Sequence, residues 1–384
     1  MTTLLAPGAS GGFAAQQNQP MMRAARLHRA GEAFQLDSIP RPRPRPTDVV
    51  VEVKACGVIP NLRNVIRNTS TAVFQPQLPA IYGLDAAGVI VEKGDQVHGF
   101  NVGDRVYVNP VRYCGSCKYC RSDRTSVCPY ATLNGYFGLG PRYQEMFDDY
   151  PYGGYADFMT APQYSLAPLQ KEVSFELAAR WGYLGTGYAA ARRAGVNMST
   201  SVLVNGATGT LGLGAVLWAL ALGAPKVLGV GRNLDLLRKL KAIAPDRISI
   251  HAVGGEQSVA DWARSLTDGD GADVVIDTLP TGASPAAFLA AFDALGPRGV
   301  HVNVSGVVEP VSISFINLVS KAQTLIGSLW FTTTEAIQMV DLAASGQVRL
   351  DVFEHQRFPL DDINDALETI DNRNGGFSNY VVCP

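Results

Sequence analysis

Four cysteines, Cys114, Cys117, Cys120 and Cys128, stand in the spacing C-x2-C-x2-C-x7-C. Four thiolates this close together complete a tetrahedral zinc shell and leave no open coordination position, so one structural zinc per chain is expected here rather than a catalytic one. Two disulfides or a nucleic-acid-binding finger are the competing readings of the same spacing. A second cluster is the glycine run in "VLVNGATGTLGLGAV", with Gly206, Gly209 and Gly212 framing Ala207, Thr208, Thr210 and Leu211. It follows an apolar strand and opens a helix. Glycines there permit a tight turn and close backbone approach, and the helix N-terminus offers free N–H groups and a positive dipole end to a pyrophosphate. The next strand, "KVLGV", runs into Gly231, Arg232 and Asn233. An NAD site calls for an acid at that point to accept from the ribose 2′-hydroxyl, whereas a 2′-phosphate needs room and a cation. The acid is missing and an arginine stands beside the gap, so NADP(H) is expected, with Arg232 as the phosphate clamp and Arg238 or Lys239 as helpers.

These clusters need elements to hold them. The 384 residues, 47% hydrophobic and 17% charged, suffice for two cores. Before residue 170 short apolar runs punctuated by Gly and Pro, such as "DVVVEVKACGV", read as a mainly β region. From about residue 174 strand-like "SVLVN", "KVLGV", "DVVID" and "GVHVNV" alternate with helix-length segments, including one continuous helical pattern "FELAARWGYLGTGYAAARRAG". That alternation implies an α/β fold with a doubly wound parallel sheet. The expected organisation is a disordered extension over 1–21, a first domain over 22–172 carrying the cysteine lobe at 110–130, a nucleotide-binding domain over 173–328, and a return to the first domain over 329–384. With 32 basic against 34 acidic residues the net charge is -2, which argues against nucleic acid or acidic lipid as partner and for a small molecule. No apolar run reaches the length of a membrane span, and the first twenty residues carry no charge, so the basic start of a secretory signal is missing. A cytoplasmic location is expected, where the cysteines stay reduced.

The pieces "KACGV", "GLDAAGVIVEKGDQVHGFNVGDRVYV", the four-cysteine lobe, "GATGTLG" and "GQVRL" with "FPLDDINDALE" together resemble the medium-chain dehydrogenase/reductase superfamily, in its zinc-containing alcohol dehydrogenase branch, across residues 22 to 384. The resemblance implies a GroES-like β domain plus a Rossmann domain with the active site between them, and a homodimer or homotetramer, with "TLIGSLWF" as a candidate edge strand. It also implies a second, catalytic zinc held by a cysteine after "GV", a histidine in "GHE" and a cysteine near the start of the interdomain helix. Here those positions read Ile59, Leu84 and, by matching "GTGY", Gly182. None can ligate a metal. Asp85 replaces the neighbouring glutamate, Asn61 stands where a hydroxyl begins the proton relay, and Asn64 falls where some members have the relay histidine. Tyr82, Asn61 and Tyr183 are therefore candidate hydrogen-bond donors. Each also has a plain reading as pocket lining. Asp85 either tunes a donor tyrosine or pairs with an arginine, and Arg63 and Arg67 either grip an anionic substrate or are solvated.

Without a Lewis acid, a simple alcohol must lose its proton unaided. Hydride addition to an electron-poor double bond asks only for donors to the oxygen on which charge builds. The expectation is thus an NADP(H)-dependent reductase of a conjugated enone, quinone or activated carbonyl. The alternatives are an alcohol/ketone dehydrogenase in which Tyr and Asn replace zinc, and a non-catalytic NADPH-binding protein.

Overall fold

A computed structural model describes residues 19–67 and 74–384. Most of the extension expected at 1–21 lies outside the described residues. Two sheets carry the architecture. The first has seven strands: Asp48–Gly57, Ala86–Lys93, Arg105–Val108, Phe158–Pro162, Leu166–Pro168, Glu354–Pro359 and Ser378–Cys383. All its pairings are antiparallel except that of the last two strands, so the end of the chain returns to complete the sheet begun near residue 48.

The second sheet is wholly parallel, in the spatial order Ile248–Ala252, Lys226–Gly231, Ser201–Asn205, Ala272–Asp277, Leu295–Asn303, Thr324–Gly327. Numbered along the chain, this is the 3-2-1-4-5-6 order of a Rossmann sheet. Helices cover both faces, which is why Ser201–Asn205 is buried at every residue and its centre, Val202 to Val204, is wholly apolar. The order reverses between Ser201–Asn205 and Ala272–Asp277, and the crevice at their carboxyl ends is where such sheets take ligands.

The segment read as one helix is two, Phe175–Ala178 and Trp181–Arg193. The break at Ala179 and Arg180 has a tertiary cause. A Cβ on Gly57 would lie 2.1 Å from the Ala179 carbonyl oxygen, so the end of strand Asp48–Gly57 abuts the chain there. Arg180 is buried and turns its guanidinium to the carbonyls of Ser378 (2.9 Å) and Gly376, pinning the start of the second helix to the chain's last strand. Periodicity in the sequence cannot register such a contact. Among the described residues no helix is long and apolar enough to cross a membrane.

Candidate active site

The four cysteines converge as their spacing predicts. Their sulfurs all lie within 4.8 Å of one another, with Cys117–Cys120 at 3.5 Å, Cys114–Cys128 at 3.6 Å and Cys114–Cys120 at 4.0 Å. Zinc–sulfur bonds of about 2.3 Å in a tetrahedron put sulfurs about 3.8 Å apart. The set fits zinc, and it is too open for disulfides; all six cysteines of the chain are free.

At the nucleotide end, strand Ser201–Asn205 enters a turn at Gly206 with φ +81°, and helix Thr210–Ala221 starts after Gly209. A Cβ on Gly212 would sit 2.1 Å from the Gly206 oxygen, so only glycine lets the helix close onto the turn. Gly209 has no other atom within 4 Å of its Cβ position than the Gly206 oxygen at 3.2 Å, which leaves that side of the backbone open to a phosphate. First-turn N–H groups have no partner within a helix and are the donors such a group would use. The turn is held by Gly206 and Ala207 N–H donating to the Val230 carbonyl, and by Gly376 N–H donating to Thr208 O at 2.8 Å.

Strand Lys226–Gly231 delivers Arg232, exposed and without a hydrogen bond or ion pair among the described residues. The two proposed helpers are already engaged: Arg238 pairs with Asp235 at 3.0 Å, and Lys239 pairs with Glu354 and lies 4.4 Å from the Phe377 ring centre. Asn233 caps helix Leu234–Lys241 through its side-chain oxygen, a local structural task.

Ile59, Leu84 and Gly182 are all buried. A Cβ on Gly182 would meet the Asp85 carboxylate oxygens at 2.3 and 2.5 Å, closer than real contacts allow. The carboxylate therefore occupies the space that any side chain at 182 would need. It accepts from the Tyr107 hydroxyl at 2.8 Å and from the Gly182 backbone N–H in the first turn of helix Trp181–Arg193. An acid at a helix N-terminus satisfies an otherwise unpaired donor and complements the dipole. Among the described residues no arginine forms an ion pair with it. Burial lifts the Asp85 carboxyl to about 7, against the opposing pull of Tyr107, Gly182 and the positive charge of Arg180. Tyr107 and Arg180, neither singled out by the sequence, are thus part of this arrangement. Their only signals were one inward-facing position in the strand of "GDRVYV" and one arginine inside an apolar helix pattern.

Asn61 is exposed and precedes the short helix Leu62–Ile66. Its amide donates to the Tyr136 hydroxyl at 3.1 Å, and its oxygen accepts from Asn64 at 3.0 Å. Tyr82 is fully buried beneath the edge of Phe34 at 5.9 Å, with a hydroxyl that finds no hydrogen-bond partner among the described residues; burial raises its pKa above the ordinary tyrosine range. Tyr183 is half-buried, and burial raises its pKa as well. Arg63 is engaged by Asp371 at 2.6 Å, and Arg67 is exposed at the end of its helix.

Residues 45–171 match the family model described as alcohol dehydrogenase GroES-like domain, and residues 210–345 match that described as zinc-binding dehydrogenase. The chain is 29% identical over 363 residues to an NAD-dependent alcohol dehydrogenase of Sulfurisphaera tokodaii, covering 91% of this chain and 97% of that protein. Among solved structures it is similar to the crystal structure of AibC, at 28% identity and TM-score 0.81 over 98% of this chain and 99% of that one. It is also similar to a thermostable alcohol dehydrogenase from Pyrobaculum aerophilum, at 27% identity and TM-score 0.76 over 95% and 100%.

Proposed function

Because the chain belongs to the zinc-containing alcohol dehydrogenase-like family of the medium-chain dehydrogenase/reductases, we propose that it is an NADP(H)-dependent oxidoreductase with a structural zinc and no catalytic one, acting on a conjugated enone, quinone or activated carbonyl. The observation that carries the reading is the carboxylate of Asp85 filling the space beside Gly182. A ligand triad of Ile59, Leu84 and Gly182 has no atom to offer a metal. The glycine turn from Gly206 to Gly212 would hold the pyrophosphate, and unpaired Arg232 at the end of the adjoining strand would hold the 2′-phosphate. When bound there, NADPH supplies a hydride to the electron-poor carbon while the displaced electron pair moves to the substrate oxygen. The chain's part is to hold that oxygen with donors. Asn61 is exposed and Tyr183 half-buried, and Asp85 accepts from the first turn of the helix that carries Tyr183; buried Tyr82 would act only through a neighbour.

Similarity to an NAD-dependent alcohol dehydrogenase favours a second reading, interconversion of simple alcohols and ketones with an NAD-type cofactor. Zinc per chain, together with NADPH and NADH oxidation on 2-cyclohexen-1-one and cyclohexanone, separates the two. One zinc and faster turnover of the enone with NADPH is the expected result. Two zincs, or oxidation of a simple secondary alcohol at a comparable rate, would overturn the reading. Tight NADPH binding with no turnover of any electrophile would leave only a nucleotide-binding protein. The edge strand Thr324–Gly327 and the exposed Phe315, Ile316 and Val319 beside it support a homodimer built by edge pairing of the parallel sheets. Six free cysteines support residence in the cytoplasm.

A further inference from the structure

We infer that Tyr136, which no sequence motif marks, is the hydrogen-bond donor to the substrate oxygen and that Asn61 is its positioning residue; this rests on the zinc-free reading above. The placement of Tyr136 is built by two glycines. Gly135 has φ +71°, and a Cβ on it would lie 2.4 Å from the Gly83 oxygen; Gly83 has φ +111°, and a Cβ there would lie 2.5 Å from the Tyr155 nitrogen. Gly83 N–H donates to the Gly135 carbonyl at 3.0 Å. The segment from Asn134 to Phe137 therefore lies directly on the turn from Tyr82 to Asp85. Asn134 ties the segment down by donating to the Tyr152 carbonyl at 2.9 Å.

The ring of Tyr136 is buried, 6% exposed, with Phe137 at 4.5 Å between ring centres, so it has little freedom to turn away. Its hydroxyl faces the exposed amide of Asn61, from which it accepts. Its own proton has no acceptor among the described residues. A buried donor without a partner is costly, and an incoming carbonyl oxygen would satisfy it. Three other stretches meet at this phenol. Asn61, two residues from Ile59, bonds the phenol directly; burial, with a lesser contribution from Asp85 and Tyr82, raises the phenol's pKa, and burial, with a lesser contribution from Tyr136, raises that of Tyr183, which follows Gly182. Ile59, Leu84 and Tyr82 share the buried apolar cluster of Tyr136, and Tyr183 packs against that cluster.

The neighbouring tyrosines are less suited. Tyr107 spends its proton on Asp85, and Tyr155 spends its own on the Gly57 carbonyl at 3.1 Å. The Tyr82 hydroxyl is sealed from solvent. Burial keeps Tyr136 protonated through the neutral range, so it serves as a donor and not as a base. As hydride arrives at the β-carbon, the alkene π electrons shift toward the carbonyl oxygen, and Tyr136 O–H holds the resulting enolate oxygen. The enolate then takes a proton at carbon from solvent.

The test compares wild type, Tyr136→Phe and Asn61→Ala on 2-cyclohexen-1-one. NADPH dissociation constants by fluorescence, zinc per chain and Tm serve as checks on each protein. Loss of one preorganised donor is expected to lower kcat by about 10²- to 10³-fold in Tyr136→Phe. Its NADPH affinity, zinc content and KM should stay within about threefold of wild type. Asn61→Ala should lower kcat by about tenfold at unchanged KM, and Asn61→Gln should recover part of that loss. Wild-type turnover with one zinc, together with a Tyr136→Phe rate within about threefold, overturns the assignment alone. Two zincs, or a wild type that turns over no enone, quinone or activated carbonyl, overturns the parent reading and the assignment with it. Should Tyr136→Phe fail to fold, an unchanged kcat in Asn61→Ala overturns the positioning claim.

Discussion

Gly182→Ala tests the packing on which the proposed loss of the catalytic metal depends, whatever the substrate. The added methyl would lie 2.3 and 2.5 Å from the two oxygens of Asp85, which is itself buried. Either the carboxylate leaves its place, giving up the Tyr107 hydroxyl and the Gly182 N–H, or the helix start shifts away from it. Overpacking a closed interior costs roughly 1–3 kcal/mol. Losing a hydrogen bond to a charged or strongly polar buried group costs roughly a further 1.5–3 kcal/mol. Alanine's helix preference over glycine returns up to about 1 kcal/mol. The net expectation is a loss of about 2–5 kcal/mol, read as a Tm lower by roughly 5–15 °C for domains of this size. The companion measurement is the same substitution in an Asp85→Ala background. There the obstruction is gone, and Gly182→Ala should be neutral or slightly stabilising. A non-additive term of about 1–3 kcal/mol between the two sites is the signature of direct contact. Gly182→Ala within about 0.5 kcal/mol of wild type, or an equal cost in both backgrounds, would refute the reasoning.

Other outcomes follow from the same geometry. The Asp85 carboxyl titrates at about 7 in the folded chain and near about 3.9 when unfolded, so between those values the folded state keeps a proton that the unfolded chain has lost. Its contribution to stability therefore falls as pH rises through that window, by up to roughly 4 kcal/mol, and Asp85→Asn should flatten the stability profile between pH 4 and 7 relative to wild type. Buried His301, lowered to about 3, acts in the opposite sense below its unfolded pKa, but it does so in both proteins and drops out of the difference. Arg232→Ser should weaken NADPH binding by about 10- to 100-fold and leave NADH unchanged, as expected for the loss of a charge-assisted hydrogen bond; equal effects on both cofactors would remove Arg232 from the phosphate site. Cys120→Ser should lose the zinc and expose the lobe around residues 114–128 to protease, since metal binding supplies on the order of 10 kcal/mol to such a loop. A variant that retains one zinc would place the metal elsewhere.

What the sequence determined by itself is local. The cysteine spacing, the glycine run and the alternation of apolar strands with helices each lie within a few tens of residues. Coordination geometry, turn conformation and burial period translate them directly into a four-sulfur cluster, a strand–turn–helix and a parallel sheet. That Ile59, Leu84 and Gly182 carry no donor atom was legible for the same reason, since a side chain without one cannot ligate wherever it lies, and the proposed loss of the second metal rests on it. What only the tertiary structure decided is which polar groups meet. Asp85 finds the Tyr107 hydroxyl and the N-terminus of a helix almost a hundred residues away. Asn61 finds Tyr136 across 75 residues, because two glycines in unrelated segments let their backbones touch. Arg180 breaks a continuous helical pattern by reaching the last strand. Hydrophobic periodicity records whether a residue faces inward. It does not record which hydroxyl stands opposite, because that depends on how separately encoded elements pack together.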